Sequence, residues 1–167
     1  MRLPAFFAAL FMAAPALGQS SLSFSGSAGP FAALRKNGLA TGPVASLQLG
    51  LDVAERAQVG IFALGVAARG PLSAPDDFAL LAAGASIDFK LWRWAAADAE
   101  LRWSWKLRLA GGYGVLAGKS SGPFLLAAPG VDYATRLRHF AIGVELPVAY
   151  APGVWSAGVT PLIRYSF

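Results

Sequence analysis

Residues 155–167, WSAGVTPLIRYSF, place an apolar side chain at every odd position: Trp155, Ala157, Val159, Pro161, Ile163, Tyr165 and Phe167. The even positions Ser156, Gly158, Thr160, Arg164 and Ser166 are small or polar, with Leu162 the one exception. A period of two is a strand, because successive side chains leave a pleated backbone on opposite faces. A strand with aromatics near both ends, a charge on its other face and a C-terminal Phe suits a β-barrel that sits in a membrane and keeps its polar side chains inside.

Composition sharpens this reading. Hydrophobic residues make up 56% of the chain, yet beyond the N-terminal segment no run reaches the ~18 uninterrupted apolar residues of a spanning helix. A barrel resolves the contradiction by spreading its apolar residues over alternate positions of many strands. The N-terminus itself reads as a secretory signal peptide, residues 1–18. Arg2 precedes an apolar stretch over residues 4–17 that is too short for a permanent span, and Ala16-Leu17-Gly18 supplies small residues for cleavage before Gln19. A retained anchor would need a stop-transfer flank, and none follows. Residues 19–167 then form one barrel domain of single-domain length. Without any Cys, disulfides and a lipid-modified Cys are both excluded. Fourteen basic residues against nine acidic could suggest nucleic acid, but they alternate within strands and form no patch, and export excludes that partner.

The alternation recurs along the chain. Leu22, Phe24, Gly26 and Ala28 interleave with serines, and Ala45, Leu47, Leu49, Leu51 and Val53 with Ser46, Gln48, Gly50 and Asp52. Residues 79–91 alternate against a face ending in Ser86, Asp88 and Lys90. Over 97–109, Leu101, Trp103, Trp105, Leu107 and Leu109 interleave with Asp98, Glu100, Arg102, Ser104, Lys106 and Arg108; over 140–150 the even positions are apolar. Residues 58–68 are apolar on both faces, and 123–137 carry Pro129 mid-strand, where a lost ladder donor predicts a bulge or kink. Counting both gives eight antiparallel strands in an up-and-down order, with both termini in the periplasm and an interior just wide enough for side chains. Residues 54–57, 93–96 and 136–138 are expected as periplasmic turns, and 35–38, 70–77, 118–122 and 151–153 as outer loops, with Asn37-Gly38 the strongest turn signal. Short outer loops weaken an adhesion role.

Ten residue steps separate Trp155 from Tyr165 and Phe140 from Tyr150, which at a tilt near 40–45° cover roughly 23–25 Å along the membrane normal, the height of an apolar belt. Trp103, Trp105, Phe140, Tyr150, Trp155, Tyr165 and Phe167 would then form the interfacial aromatics. A soluble lipocalin-like barrel would point charges outward, leaving no use for Trp103 and Trp105 opposite Lys106 and Arg108.

The chain resembles the small eight-stranded outer-membrane proteins of the OmpA/OmpX type. The resemblance spans residues 19–167 as an architecture, and its residue-level match is Ile163-Arg164-Tyr165-Ser166-Phe167, which looks like the terminal signal read by the barrel assembly machinery, with Tyr165 and Phe167 as its aromatic pair. Leu162 stands where the usual upstream Gly is expected. The resemblance implies a route of assembly, and lipid and lipopolysaccharide as surroundings, without choosing an activity.

The inward faces collect Gln48, Asp52, Asp88, Lys90, Asp98, Glu100, Arg102, Lys106, Arg108, Asp132, Glu145 and Arg164. Mixed signs in a narrow lumen point to a network of paired charges that fills the barrel, against a gated conduction path or proton-linked site. His139, the one His, is the sole candidate imidazole base. By parity it faces inward beside a periplasmic turn, and Ala141 stands where eight-stranded lipid A deacylases place Ser, so an ordinary turn His is expected. Gly111-Gly112-Tyr113-Gly114 precedes no helix and reads as a strand bend, not a phosphate loop. No His, Cys or carboxylate cluster has metal-ligand spacing; neither metal nor cofactor is implied. The expectation is a non-enzymatic, monomeric outer-membrane barrel with a structural role in the envelope. The alternatives are a lipid A or phospholipid-modifying enzyme and a narrow small-solute channel.

Overall fold

A chain of alternating strands satisfies every backbone donor without an exposed edge only if its sheet closes on itself. The computed structural model describes residues 21–35, 38–54, 56–70, 77–95, 102–116, 120–135, 137, 139–151 and 153–167. Their regular structure is β1 (Leu22–Arg35), β2 (Gly38–Ala54), β3 (Ala57–Ala68), β4 (Phe78–Ala95), β5 (Arg102–Leu116), β6 (Ser120–Ala134), β7 (Phe140–Glu145), β8 (Val148–Ala151), β9 (Val154–Gly158) and β10 (Thr160–Ser166). β7 and β8 are two halves of one stave, and so are β9 and β10. Each stave pairs antiparallel with its neighbours in sequence, and β9 and β10 return to β1. The result is an eight-stranded antiparallel up-and-down barrel.

Its dimensions follow from register. Ladder partners traced once around the ring run Ser23, Gly50, Gly60, Ser86, Ala110, Leu126, Ala149, Ser156 and back to β1 at Ala33. A stagger of about ten positions over eight staves tilts the strands by roughly 40° and sets a backbone radius of about 8 Å. Such a cylinder has room for side chains and little else. Strong coiling at this radius brings neighbouring backbones close: Gly84 and Gly112 face one another, and a Cβ on either would lie 2.1 Å from a carbonyl oxygen, of Gly111 or Ala83 respectively.

Several sequence expectations change. The expected bulge at Pro129 is absent, since β5 and β6 pair without a shift from Arg102↔Ala134 to Leu116↔Ser120. The missing donor of Pro129 instead faces the next stave, where the Leu146 amide donates to Pro129 O at 2.8 Å and receives nothing back. Pro147 and Pro30 act alike, accepting from the Gly158 and Val159 amides at 2.9 and 3.2 Å. Half-made pairs therefore divide the last two staves into segments without altering register. The irregularities lie elsewhere, between Asp52 and Ala54 of β2 and between Lys90 and Trp92 of β4, and the second lets β4 run on through Ala95, where a turn over 93–96 was expected. β6 starts at Ser120, inside the expected loop 118–122, and ends at Ala134. β5 continues past Leu109 to Leu116, taking in the glycine run. Arg35 pairs with Gly38, so Gly38, at φ 124°, opens β2 and does not occupy the turn. Gly153, at φ 74°, does occupy one, between the paired residues Ala151 and Val154.

Candidate functional site

Polarity is inverted relative to a water-soluble barrel. Outward positions carry exposed Phe24, Leu47, Leu49, Ile61, Leu81, Trp103, Trp105, Leu125, Ile142, Val144, Trp155 and Ile163, while Asp88, Lys106, Arg108, Asp132 and Glu145 are buried in the lumen. The lumen is thus the candidate site, and its charges close into one figure. Lys106 Nζ lies 3.0 Å from Asp132 Oδ1 and 2.5 Å from Glu145 Oε1. Arg108 reaches Glu145 Oε2 at 3.2 Å and holds Asp88 through Nε at 3.0 Å and Nη2 at 3.3 Å. Arg164 Nη2 completes the circuit, 3.0 Å from Asp132 Oδ2 and 3.8 Å from Asp88 Oδ2. Each base touches two acids and each acid two bases, a neutral ring of alternating sign that satisfies the demand that buried charges be paired.

Register explains who meets whom. Asp88 and Arg108 are direct cross-strand partners. Lys106 and Glu145 lie on either side of Gly130, and Asp132 stands opposite Gly143. A Cβ at Gly143 would fall 2.5 Å from Asp132 Oδ1, and one at Gly130 would fall 3.0 Å from Glu145 Cγ. Two missing side chains therefore make room for the ring.

Toward the end where β1 begins and β10 finishes, the polar filling continues. Ser25 Oγ donates to Gln48, whose amide donates to Ser86 at 2.9 Å. Gln58 donates to Ser23 at 2.7 Å and to Asp52 at 3.1 Å. Asp52 also accepts from Ser21 and lies 3.6 Å from Lys90, at the half-exposed mouth. Toward the far end the lumen turns apolar: Phe31, Val44, Phe62, Leu64, Val66, Leu80, Leu116, Phe124 and Leu126 are buried there. The rings of Phe62 and Phe124, from β3 and β6, meet at 5.7 Å between centroids. At the boundary of the two halves a cavity of about 20 Å³ is bordered by Ser27, Phe62, Arg108, Glu145 and Thr160, space for one water molecule.

Sequence reasoning did not anticipate the apolar half of the lumen, nor the Ser–Gln layer. Asp98 and Glu100 lie outside the described residues, and Arg102 is described only as the first backbone position of β5. Correction is needed at His139. Its ring lies 5.8 Å from that of Tyr165, on an exposed residue, and does not turn into the lumen; residue 139 belongs to the turn before β7, where strand alternation does not apply. Six of the expected interfacial aromatics pair near the barrel ends, Trp103 with Tyr133, Tyr150 with Trp155, and Tyr165 with both Phe140 and Phe167, at centroid distances of 4.9–5.0 Å, while Trp105 is exposed on the outward face.

Fold and interior together define a class, the small closed eight-stranded barrels that are apolar outside and charged within. Among solved structures the chain is similar to Neisserial surface protein A, with a TM-score of 0.66 at 17% identity over 87% of this chain and 97% of that one. It is also similar to Ail, the attachment invasion locus protein of Yersinia pestis (TM-score 0.49, 13% identity, 89% and 99% covered), and to the N-terminal β-barrel domain of Pseudomonas aeruginosa OprF (0.42, 13%, 88% and 100%). At these identities the likeness is one of fold, that of small outer-membrane eight-stranded barrels. No family model and no curated protein matches the chain.

Proposed function

We propose that this chain is an integral outer-membrane β-barrel that contributes to the envelope as a closed, non-catalytic structural element. The observation that carries the reading is the inverted polarity: burying a charge costs many kilocalories per mole unless it is paired, and a soluble chain would not bury six while exposing a belt of Leu, Ile, Val and Trp. Residues 1–18 direct export as a cleaved signal peptide, residues 19–167 form the barrel, and Tyr165 and Phe167 end the signal read by the assembly machinery. The termini face the periplasm. Outer-membrane lipid and lipopolysaccharide surround a monomer.

Closure argues against a solute channel. The ring and the apolar half lie in series along the lumen, and a hydrated solute would have to strip its water to pass the Phe62–Phe124 pair. Membrane fractionation of cells producing the protein, with gel mobility before and after boiling, tests placement: a carbonate-resistant, heat-modifiable species is expected, and a soluble fraction would overturn the reading. Planar-bilayer recording tests closure, with no reproducible step above leak expected.

A further inference from the structure

We propose that the outer wall of β1–β3 and β9 holds an acylated glycolipid bearing a phosphomonoester, its acyl chain in a groove and its phosphate at Arg69. This deepens the membrane reading above and rests on it. Outward residues form rows across neighbouring strands. One row is Ala157–Ala32–Thr41–Arg69, the next holds Pro30 and Pro43, and the third is Ala28–Ala45–Gly65–Leu81. Apart from Arg69 at one corner and Leu81 at another, the patch carries no long side chain, whereas the wall around it carries exposed Leu34, Leu39, Leu47 and Trp155. The depression is almost wholly apolar and has a volume of about 1230 Å³.

Small residues alone would make only a dent for solvent lipid. What gives this one a direction is its charge. Among the strand and bridge positions whose side chains are described, Arg69 is the one cation on the outward face; Lys90, Lys106, Arg108 and Arg164 all occupy inward ones. Arg69 stands just beyond the groove's far end, the end proposed to face outward, as the ladder partner of Thr41 of the groove's lining. There it is locked to Thr41 by two backbone hydrogen bonds of 2.8 and 2.9 Å, so a guanidinium and a hydroxyl project side by side at the head of an apolar trough. Asp77 shares this corner, but its carboxylate accepts from the Gly70 amide at 3.1 Å. A guanidinium beside an apolar groove, at the depth where headgroups begin, is complementary to an acylated glycolipid whose phosphate is a monoester with no choline cation to neutralise it.

The test uses the full chain refolded into phosphatidylcholine nanodiscs containing a minor share of lipid A. Lipid retained after transfer to mild detergent is measured by native mass spectrometry. The wild type is expected to keep lipid A selectively, Arg69→Gln to lower that retention by about tenfold through loss of one charge-assisted contact, and Ala45→Phe to abolish it by filling the trough. Heat-modifiable mobility confirms that both variants fold, as expected for outward substitutions. Equal retention by all three proteins, or retention of phosphatidylcholine as readily as lipid A, would overturn the proposal. So would a dimer mass that Ala45→Phe removes, which would make the groove a self-interface. Failure of the wild type to enter nanodiscs at all would instead refute the membrane reading.

Discussion

Removing Lys106 tests the charge ring most directly. Lys106→Met keeps the length of the side chain and deletes one of three cations, leaving Asp132 with Arg164 and Glu145 with Arg108 as their remaining ring partners. At an effective dielectric near 20, a contact of 3 Å corresponds to about 5–6 kcal/mol of attraction, and Lys106 makes two contacts of 2.5–3.0 Å. Recovered desolvation of the ammonium offsets much of that, so the expected net loss is about 3–5 kcal/mol, the range for stripping one partner from a buried pair. The double variant Lys106→Met, Glu145→Gln leaves Arg108 and Arg164 against Asp88 and Asp132, neutral again, and is expected to be more stable than Lys106→Met alone. Lys90→Gln serves as the internal comparison. Its single 3.6 Å contact with Asp52 is between side chains 21% and 26% exposed, which predicts a change below about 1 kcal/mol. Urea unfolding of protein refolded into phospholipid vesicles, followed by Trp fluorescence, measures all three. A Lys106→Met protein within 1 kcal/mol of wild type, or a double variant less stable than the single, would refute the ring as a coupled unit.

Two further substitutions probe backbone and plug. Gly84→Ala must displace the Gly111 carbonyl, 2.1 Å from the new methyl, whereas at Gly111 an added Cβ meets Leu125 Cδ2 at 3.6 Å and Phe124 O at 3.8 Å, both ordinary contacts; the former is expected to cost about 1–3 kcal/mol and the latter well under 1 in the same urea assay. Equal effects would remove close strand approach as the reason for glycine at 84. Phe124→Ala empties the centre of the apolar half and is expected to lower stability by about 3–5 kcal/mol, read from the temperature at which gel mobility shifts. An unchanged temperature would mean that the far half is not packed.

Alternation made the barrel legible. A period of two in six of the eight segments fixes strand identity there and, with it, which residues share a face, because the pleat leaves no third choice. Boundaries were less legible because they depend on partners. Arg93, Trp94 and Ala95 resemble a turn by composition, yet after the irregularity at Leu91 they pair with Ser104, Trp103 and Arg102, and a paired backbone stays extended. Proline misled for a related reason. Its missing donor is visible in the sequence, but whether a bulge follows depends on which neighbour the nitrogen faces and on whether that neighbour's carbonyl tolerates standing alone.

Depth in the lumen was the part that no face assignment could supply. Residues sharing a face differ in height, and height depends on the stagger that accumulates around the ring. Lys106 and Arg164 are far apart in sequence and belong to staves that are not neighbours, yet tilt brings both to the level of Asp132. The same stagger gathers Phe62 from a segment apolar on both faces and Phe124 from one interrupted by proline, and sets them against each other. Charge and grease therefore separate along the axis without any local signal for it. That separation has a physical consequence. The apolar half keeps water from the ring on its far side, so the ring's attractions act in a medium of low dielectric and bind six strand positions into one unit. Stability lost on breaking the ring and on emptying the plug is therefore expected not to be additive in urea unfolding: Lys106→Met combined with Phe124→Ala should cost less than the sum of the two, because water admitted through the emptied half already weakens the contacts that Lys106 makes.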